Sequence, residues 1–158
     1  MTEEVSVLKN LDFFSHFNDE ELKAASKIMN EIDYLPGKVI MEEGAEGHTL
    51  NIIKKGEVKI TKKDPEGNEQ VLALLKAGDI FGEMSFIDGR PHSATVTAIH
   101  SSWILQIQKS DFDKFIESHP RASYKIMKNI VFHVDNIVRK MNSNYVDMMS
   151  YMFGRRRF

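Results

Sequence analysis

Residues 36–61 read PGKVIMEEGAEGHTLNIIKKGEVKIT and set the pattern for the middle of the chain. Short runs of aliphatic and β-branched residues are interrupted by turn residues, namely Pro36-Gly37, Gly44, Gly47 and Gly56. Each run is too short for a helix, but it is long enough for a strand that ends in a tight turn. The stretch therefore predicts consecutive short strands.

The same pattern extends from Ile32 to Gln108. It predicts strands over residues 38–41, 49–53, 58–61, 71–75, 94–99 and 103–107. Between them stand glycine, proline, asparagine and aspartate, the residues that form tight turns. Many short strands separated in this way indicate an antiparallel sandwich or barrel rather than alternating βαβ units. The predicted fold class is mainly β with flanking helices.

Both sides of this β-rich region carry helix signals. Asn18-Asp-Glu-Glu21 is a capping-box variant, and apolar residues follow it at helical spacing: Leu22, Ala25, Ile28 and Met29. This pattern predicts an amphipathic helix that ends near Asn30. Ser110-Asp-Phe-Asp113 is a second cap of the same type, and it predicts a helix that runs to the His119-Pro120 break.

The segment after Pro120 contains no glycine or proline until Gly154. Its apolar residues recur at spacings of three and four, which predicts one long helix with a continuous apolar stripe. They are Ile126, Met127, Ile130, Val131, Val134, Ile137, Val138, Met141, Tyr145, Met148, Met149 and Met152. A two-chain coiled coil would bury this stripe, so we expect a homodimer through residues 121–152. The alternative is a helix that packs only on its own β domain.

Composition narrows the chemistry. The chain has no cysteine, which excludes disulfides, thiolate zinc sites and a thiol nucleophile. Its formal net charge is -2, so no overall positive field attracts nucleic acid or an anionic membrane. No stretch approaches the roughly 20 apolar residues of a membrane span, and the first residues lack the features of a signal peptide. A cytoplasmic location without membrane contact is the simplest expectation.

Residues 81–96 read FGEMSFIDGRPHSATV. This stretch resembles the phosphate-binding cassette of cyclic-nucleotide-binding domains of the catabolite-activator and protein-kinase-regulatory type. Segments 36–44, 45–47, 52–58 and 78–83 also match the family in order and spacing. The resemblance implies an antiparallel β-roll, a double-stranded jelly-roll, followed by a long dimerisation helix. It implies a single domain over 1–158, with N-terminal helices at 1–30, the β-roll at 31–109, C-terminal helices at 110–153 and a basic tail at 154–158.

The cassette residues suit an anionic ligand for chemical reasons. A cyclic phosphate is a compact anion that converging backbone N–H groups hold well, and Gly82 allows the backbone to approach closely because it lacks Cβ. The Glu83 carboxylate would accept a hydrogen bond from a ribose hydroxyl. Ser93 and Ala94 would add a hydroxyl and an amide around the phosphate. The alternative is that Gly82 only makes a turn and Glu83 is a solvated charge.

The chain departs from the family at one phosphate contact. The family usually has arginine two residues before the alanine, where this chain has His92. Imidazole offers one donor and is mostly neutral at pH 7, so the loss of a charge-assisted pair should weaken binding roughly ten- to a hundredfold. In an extended segment Arg90 would share a face with His92 and replace the lost charge. The alternative is that Arg90 is an exposed turn residue.

The resemblance implies a regulatory sensor that binds cyclic AMP or cyclic GMP and passes the signal to its C-terminal helices. The expected ligand-binding residues are Gly82, Glu83, Met84, Ser85, Arg90, His92, Ser93 and Ala94. No catalytic motif is present, and His92 with His100 is the closest approach to a metal-binding cluster, so neither an enzyme nor a metal site is predicted.

Two other functions stay open. A transcription regulator of the catabolite-activator family would carry a helix-turn-helix domain after the long helix, and this chain stops there. Direct DNA binding is therefore not expected, and regulation would act through a partner or a missing DNA-binding domain; the tail Gly154-Arg-Arg-Arg-Phe158 offers phosphate contacts but no base-reading element. The other alternative is a ligand-independent dimeric scaffold with a degenerate site.

Overall fold

The computed structural model describes residues 3–154. The chain divides into two compact units, residues 1–125 and residues 126–158, and each is described by itself. The first unit contains the β-sheets with their flanking helices. The second begins within the long C-terminal helix.

The strands of the first unit form two antiparallel four-stranded sheets. They are β1 (Met29–Tyr34), β2 (Val39–Met41), β3 (Thr49–Lys55), β4 (Glu57–Lys63), β5 (Glu69–Lys76), β6 (Ile80–Phe81), β7 (Thr95–Ala98) and β8 (Ser102–Gln108). One sheet has the strand order β1-β8-β3-β6, and the other has the order β2-β7-β4-β5. This arrangement confirms the predicted antiparallel β-roll.

Helices flank the sheets in sequence and also interrupt them. They are α1 (Glu3–Lys9), α2 (Asp19–Ser26), α3 (Glu83–Asp88), α4 (Lys109–Ser118) and α5 (Pro120–Phe153), with a 3-10 turn at Asp12–Phe14. α3 lies between β6 and β7, inside the stretch that resembles the phosphate-binding cassette. A short helix therefore replaces part of the strand succession at the candidate site.

The core between the two sheets is built from alternating strand residues. Ile53, Phe81 and Ile104 come from the first sheet, and Val58 and Val96 come from the second. Each is no more than 2% exposed. Full burial of a side chain of this kind stabilises the fold by roughly 1.5–3 kcal/mol, so these contacts hold the two sheets face to face.

The prediction for the first helix is correct at its start and wrong at its end. The Asn18 side chain accepts from the Glu21 N–H at 2.8 Å, and the Glu21 carboxylate accepts from the Asn18 N–H at 3.0 Å, which confirms the capping box. The helix ends at Ser26 rather than near Asn30. Met29 instead begins β1 and pairs with Ile107 of β8, because pairing with a central strand outweighs the helical spacing.

One further prediction is corrected, and one more strand was not predicted. Ser110 is not the cap of α4: the helix begins at Lys109, after Gln108, and no side chain caps it. β6, at Ile80–Phe81, was not predicted because two residues are too few for a periodicity signal. The predicted strands at 49–53, 58–61, 71–75 and 103–107 each correspond to an observed strand that is longer by several residues.

The long C-terminal helix is confirmed: α5 runs for 34 residues from Pro120 to Phe153. In the second unit most apolar side chains of the predicted stripe are exposed, namely Val131, Ile137, Val138, Met141, Tyr145, Met148 and Met152. Ile126 and Ile130 are buried. Within residues 3–154, no helix is long and apolar enough to cross a membrane. Residues 155–158 of the predicted basic tail lie outside the described residues.

An ion pair joins α2 to the first turns of α5 inside the first unit. Lys125 Nζ lies 2.6 Å from a Glu21 carboxylate oxygen and also donates to the His16 carbonyl at 3.0 Å. Burial of Glu21 raises its pKa. The hydrogen bonds from Lys125 and from the Asn18 N–H together lower the pKa by more than burial raises it. The pKa of Glu21 therefore lies below its ordinary value, and the carboxylate stays charged at neutral pH.

Lys125→Met should destabilise the fold by about 2 kcal/mol at neutral pH, because it leaves the Glu21 charge buried without a cation. The pair contributes stability above the ordinary Glu pKa of 4.5, and this contribution is lost as the pH falls through the lowered pKa of the folded state. Urea unfolding at neutral and acid pH measures both effects. Lys23→Met, at an exposed position on α2, is the control, and equal losses in both variants would contradict the assignment.

Candidate functional site

Gly82 sits where β6 ends and α3 begins, in the left-handed region with φ of 78°. A Cβ added there would lie 2.8 Å from Asn51 Nδ2 and 2.9 Å from the Thr49 carbonyl oxygen. Both atoms belong to β3, so the cassette backbone lies directly against the sheet. Glycine is required here on two counts, the backbone conformation and the close approach.

The first turn of α3 presents free backbone donors. Its first helical bond runs from the Phe86 N–H to the Gly82 carbonyl at 3.1 Å. The N–H groups of Glu83, Met84 and Ser85 therefore precede the hydrogen-bonded part of the helix and have no main-chain acceptor in the described chain. Three adjacent donors beside a left-handed glycine form a concave arrangement that favours an anion.

The Glu83 side chain is half-buried and makes no hydrogen bond or ion pair with any other residue in 3–154. Met84 beside it is 52% exposed, whereas Ser85 is buried. A carboxylate next to the α3 amides would meet a ligand hydroxyl rather than a phosphate, because like charges repel. The arrangement therefore offers an acceptor beside a group of donors.

His92 is buried, with only 6% of its surface exposed. Its Nδ1 lies 3.0 Å from Ser85 Oγ on α3. The imidazole also lies against Gly47, where an added Cβ would come within 2.0 Å of both Cε1 and Nε2. His92 therefore points into the protein and fills the space that Gly47 leaves open.

The main chain of His92 strengthens this connection. Its N–H donates to the Ala45 carbonyl at 2.9 Å, and its carbonyl accepts from the Gly44 N–H at 2.8 Å. The cassette is thus tied to the turn between β2 and β3. Burial lowers the pKa of His92, and electrostatic repulsion by the nearby His48 lowers it further, so the imidazole is mostly neutral at pH 7.

The prediction that Arg90 and His92 share one face is wrong for this conformation. The Arg90 side chain is 84% exposed, while His92 is buried. Arg90 Nε lies 3.5 Å from an Asp88 carboxylate oxygen, and the Arg90 N–H donates to Asp88 at 2.9 Å. The main-chain bonds of His92 direct the imidazole inward, and the turn at Asp88 leaves the guanidinium in solvent.

Just before β7, Ser93 is exposed and Ala94 is half-buried. Lys62 of β4, which the sequence analysis did not identify, donates to the Ser93 carbonyl at 2.7 Å and lies 3.3 Å from Glu43. Asn51 and Gly47 were also missed. Their roles come from contacts between distant segments, and no local motif marks them.

Aromatic rings connect the cassette to the start of α5 within the first unit. The ring centroids of Phe86 on α3 and Phe112 on α4 are 5.3 Å apart. The ring centroids of Phe112 and Phe115 are 6.4 Å apart, and the Phe115 ring stacks on the His119 ring with centroids 4.7 Å apart. These ring contacts run from α3 through α4 to the residue before Pro120.

No group of three or more His, Asp or Glu side chains that could hold a metal ion occurs among residues 3–154. The groups assembled at the cassette are backbone N–H donors and one carboxylate acceptor, that of Glu83. This set matches a small organic anion that carries hydroxyl groups.

A family profile described as cyclic nucleotide-binding domain matches residues 31–119, more than half of the chain. The chain belongs to the cyclic nucleotide-binding domain family.

Relatives of known name agree with this assignment. The chain is 25% identical over 143 residues to a CRP-like cAMP-activated global transcriptional regulator of Mycobacterium tuberculosis, a match that covers 90% of this chain and 62% of the relative. It is 29% identical over 119 residues to the cyclic AMP receptor protein of Thermus thermophilus, covering 75% of this chain and 55% of the relative. The matched region thus spans about three-fifths of the length of these relatives.

Solved structures show the same fold. A cyclic nucleotide-binding domain from Methylobacillus flagellatus superposes with a TM-score of 0.82 at 24% identity, covering 92% of this chain and 82% of that chain. The catabolite activator protein of Thermus thermophilus superposes with a TM-score of 0.75 at 27% identity, covering 88% of this chain and 63% of that chain.

Gly82→Ala should destabilise the protein by roughly 2–4 kcal/mol, because strain in the left-handed conformation adds to the clash with Asn51 and Thr49. Gly89 has a similar φ of 70° but no atom within 4 Å of an added Cβ. Gly89→Ala is therefore the matched control and should cost only the strain, roughly 1–2 kcal/mol. Chemical denaturation measures both, and equal losses would refute the close approach.

The lowered pKa of His92 makes stability depend on pH. Between this lowered value and the ordinary value of 6.5, the unfolded chain binds a proton that the folded chain rejects. The free energy of unfolding should therefore rise with pH through this window. His92→Gln should flatten the rise, as measured by urea unfolding from about pH 5 to about pH 8. His16→Gln is the control, and an unchanged slope in His92→Gln would contradict the burial.

Proposed function

We propose that the chain is a regulatory sensor module without catalytic activity of its own, which binds a cyclic nucleotide at the cassette. The observation that carries this proposal is the set of free N–H groups at Glu83, Met84 and Ser85 beside the left-handed Gly82. Membership in the cyclic nucleotide-binding domain family supports the ligand class. Relatives named for cyclic AMP favour cyclic AMP, and cyclic GMP is the second candidate.

Each cassette residue receives a role in this proposal. The backbone amides that follow Gly82 hold the cyclic phosphate, with Ser93 and Ala94 completing the shell. The Glu83 carboxylate accepts a hydrogen bond from a ribose hydroxyl, a role that is supported by its having no partner in the described chain. Arg90 supplies positive charge, for which it must leave its exposed pair with Asp88, and such pairs cost little to break.

His92 takes a different role from the family arginine in the conformation described. Its imidazole is neutral and hydrogen-bonded to Ser85, so it positions the loop that carries Ser93 and Ala94. If it also contacts the phosphate, it must rotate out of the Gly47 contact and gain a proton. The two roles predict different pH dependence of binding: the phosphate contact predicts tighter binding at low pH, and the positioning role predicts the same affinity at pH 6 and pH 8.

Ligand binding is proposed to act on the C-terminal helices. Movement of α3 onto a phosphate would displace Phe86 against Phe112, and the stacked pair of Phe115 and His119 continues this contact to the start of α5. The binding energy would thereby favour one arrangement of α4 over another. The ring contacts support this route because they form a continuous series from α3 through α4 to His119, the residue before α5.

Isothermal titration with cyclic AMP and cyclic GMP at pH 6 and pH 8 tests the proposal. Saturable binding is expected, with affinity weakened roughly tenfold or more in Arg90→Ala and in Glu83→Gln. Lys38→Ala, at an exposed position before β2, is the charge-loss control. Tighter binding at pH 6 would indicate that protonated His92 contacts the phosphate. Equal affinity at the two pH values would indicate that His92 only positions the loop. The absence of heat and of thermal stabilisation at millimolar ligand would contradict the proposal.

That negative result would favour the ligand-independent scaffold. The observation that supports this alternative is the buried neutral His92 in place of a charged phosphate ligand. A role in transcription is a further proposal that rests on the names of the relatives alone. It would require a partner or a DNA-binding domain beyond the region matched here.

We also propose a homodimer through α5. Its exposed apolar side chains, among them Val131, Val138 and Met141, would be buried in a two-helix seam. Val134→Glu should give monomers in sedimentation velocity, because it places a charge in the seam. Asn136→Glu, at an exposed position of the same helix, is the control. An unchanged mass of Val134→Glu would count against the helix seam.

A further inference from the structure

β5 is an edge strand with an open side. It lies at the end of the β2-β7-β4-β5 sheet and, within residues 3–154, pairs with β4 alone. Its eight residues leave a row of N–H and C=O groups without a strand partner on the other side. Such an edge is able to accept a further antiparallel strand.

The side chains of β5 are unusually apolar for an edge. The six residues between Glu69 and Lys76 are QVLALL, and none is charged. Val71, Leu72 and Leu74 are 59%, 59% and 60% exposed. Proteins normally protect an edge of this kind with charges or proline inside the strand, and β5 has neither.

Pairing with β4 places Val71 and Leu74 on one face. Leu74 lies opposite Lys59, and Val71 lies opposite Thr61. Lys59 and Thr61 are two residues apart on β4 and so point to the same side of the sheet. Leu72 is the extra residue of a bulge between these two pairs. The result is a short apolar strip beside an open edge.

We propose that β5 pairs antiparallel with β5 of a second copy of this chain, about a two-fold axis between Leu72 and Ala73. In this register Glu69 lies opposite Lys76 of the second copy, and the same pair forms again at the other end. Val71 then lies opposite Leu74 of the second copy. The charges at the strand ends are thus self-complementary, and the apolar residues meet between them.

Charge complementarity selects this occupant over an unrelated strand. Lys76 makes no ion pair within residues 3–154, and Glu69 is 53% exposed in its pair with Lys59 at 3.1 Å. Opposite charges facing each other across strands are favourable, and like charges in the same positions are unfavourable. A single strand edge is smaller than a stable standard-size interface, so the contact is weak and depends on concentration.

The β5 contact is separate from the helix seam and does not depend on ligand binding. Two such two-fold interfaces on one chain would join α5 dimers into larger assemblies. The Val134→Glu chain is monomeric at low concentration, and the β5 contact gives a monomer–dimer equilibrium as the concentration rises. In the unmodified chain the same contact raises the measured mass above that of the helix dimer as the concentration rises. The test therefore does not require Val134→Glu to fold.

Sedimentation equilibrium over a range of concentrations tests the pairing through a charge exchange. Glu69→Lys alone, or Lys76→Glu alone, turns two attractive pairs into two repulsive ones and should weaken association roughly tenfold. The double variant Glu69→Lys with Lys76→Glu restores opposite charges across the axis and should recover association. Glu66→Lys, in the turn before β5, makes the same charge change outside the strand and is the control.

Thermal melting separates folding from association. Glu69→Lys also breaks the pair with Lys59 inside the chain, which would lower the melting temperature but would not explain recovery of association by Lys76→Glu. Leu74→Lys should abolish the contact by removing the apolar pair. A mass that does not change with concentration in both the Val134→Glu and the unmodified chain overturns the proposal. So does a double variant that stays as weak as the single ones.

Discussion

The close contact of Gly82 with β3 is the constraint on which the candidate site depends. The main chain there lies so near Asn51 and Thr49 that no side chain fits, and its left-handed turn starts α3 at once. Asn51 donates to the Thr49 and Phe81 carbonyls at 3.2 and 3.3 Å, which fixes the underlying strand. The amides in the first turn of α3 therefore lie directly in front of the sheet.

The imidazole at residue 92 changes how this family site is held together. Arginine could not occupy the present position of the His92 ring, because a buried guanidinium without a carboxylate would be costly. A neutral imidazole fits against Gly47 and bonds Ser85, so it joins the cassette to the turn after β2. In the proposed site the positive charge near the phosphate would come from Arg90, which lies in solvent in this structure. Positioning and charge, which one arginine would combine, would then be divided between His92 and Arg90.

The two apolar surfaces of the chain have different origins. The α5 surface follows from a helical repeat that continues beyond the buried residues Ile126 and Ile130. The β5 surface follows from an edge strand whose sequence resembles that of a central one. Both proposed contacts are two-fold arrangements of identical chains, which require each surface to be complementary to itself.

The sequence by itself determined the β-rich middle, the capping box at Asn18, the long helix after Pro120 and the glycine at the centre of the cassette. Each of these depends on local backbone preference or on a short repeat, which neighbouring residues express directly. Tertiary structure alone decided that Met29 begins a strand, that His92 turns inward and that Arg90 does not join it. The first two outcomes depend on partners distant in the sequence, Ile107 for Met29 and Gly47 for His92, and on the burial that such contacts create. Local spacing carries no record of them.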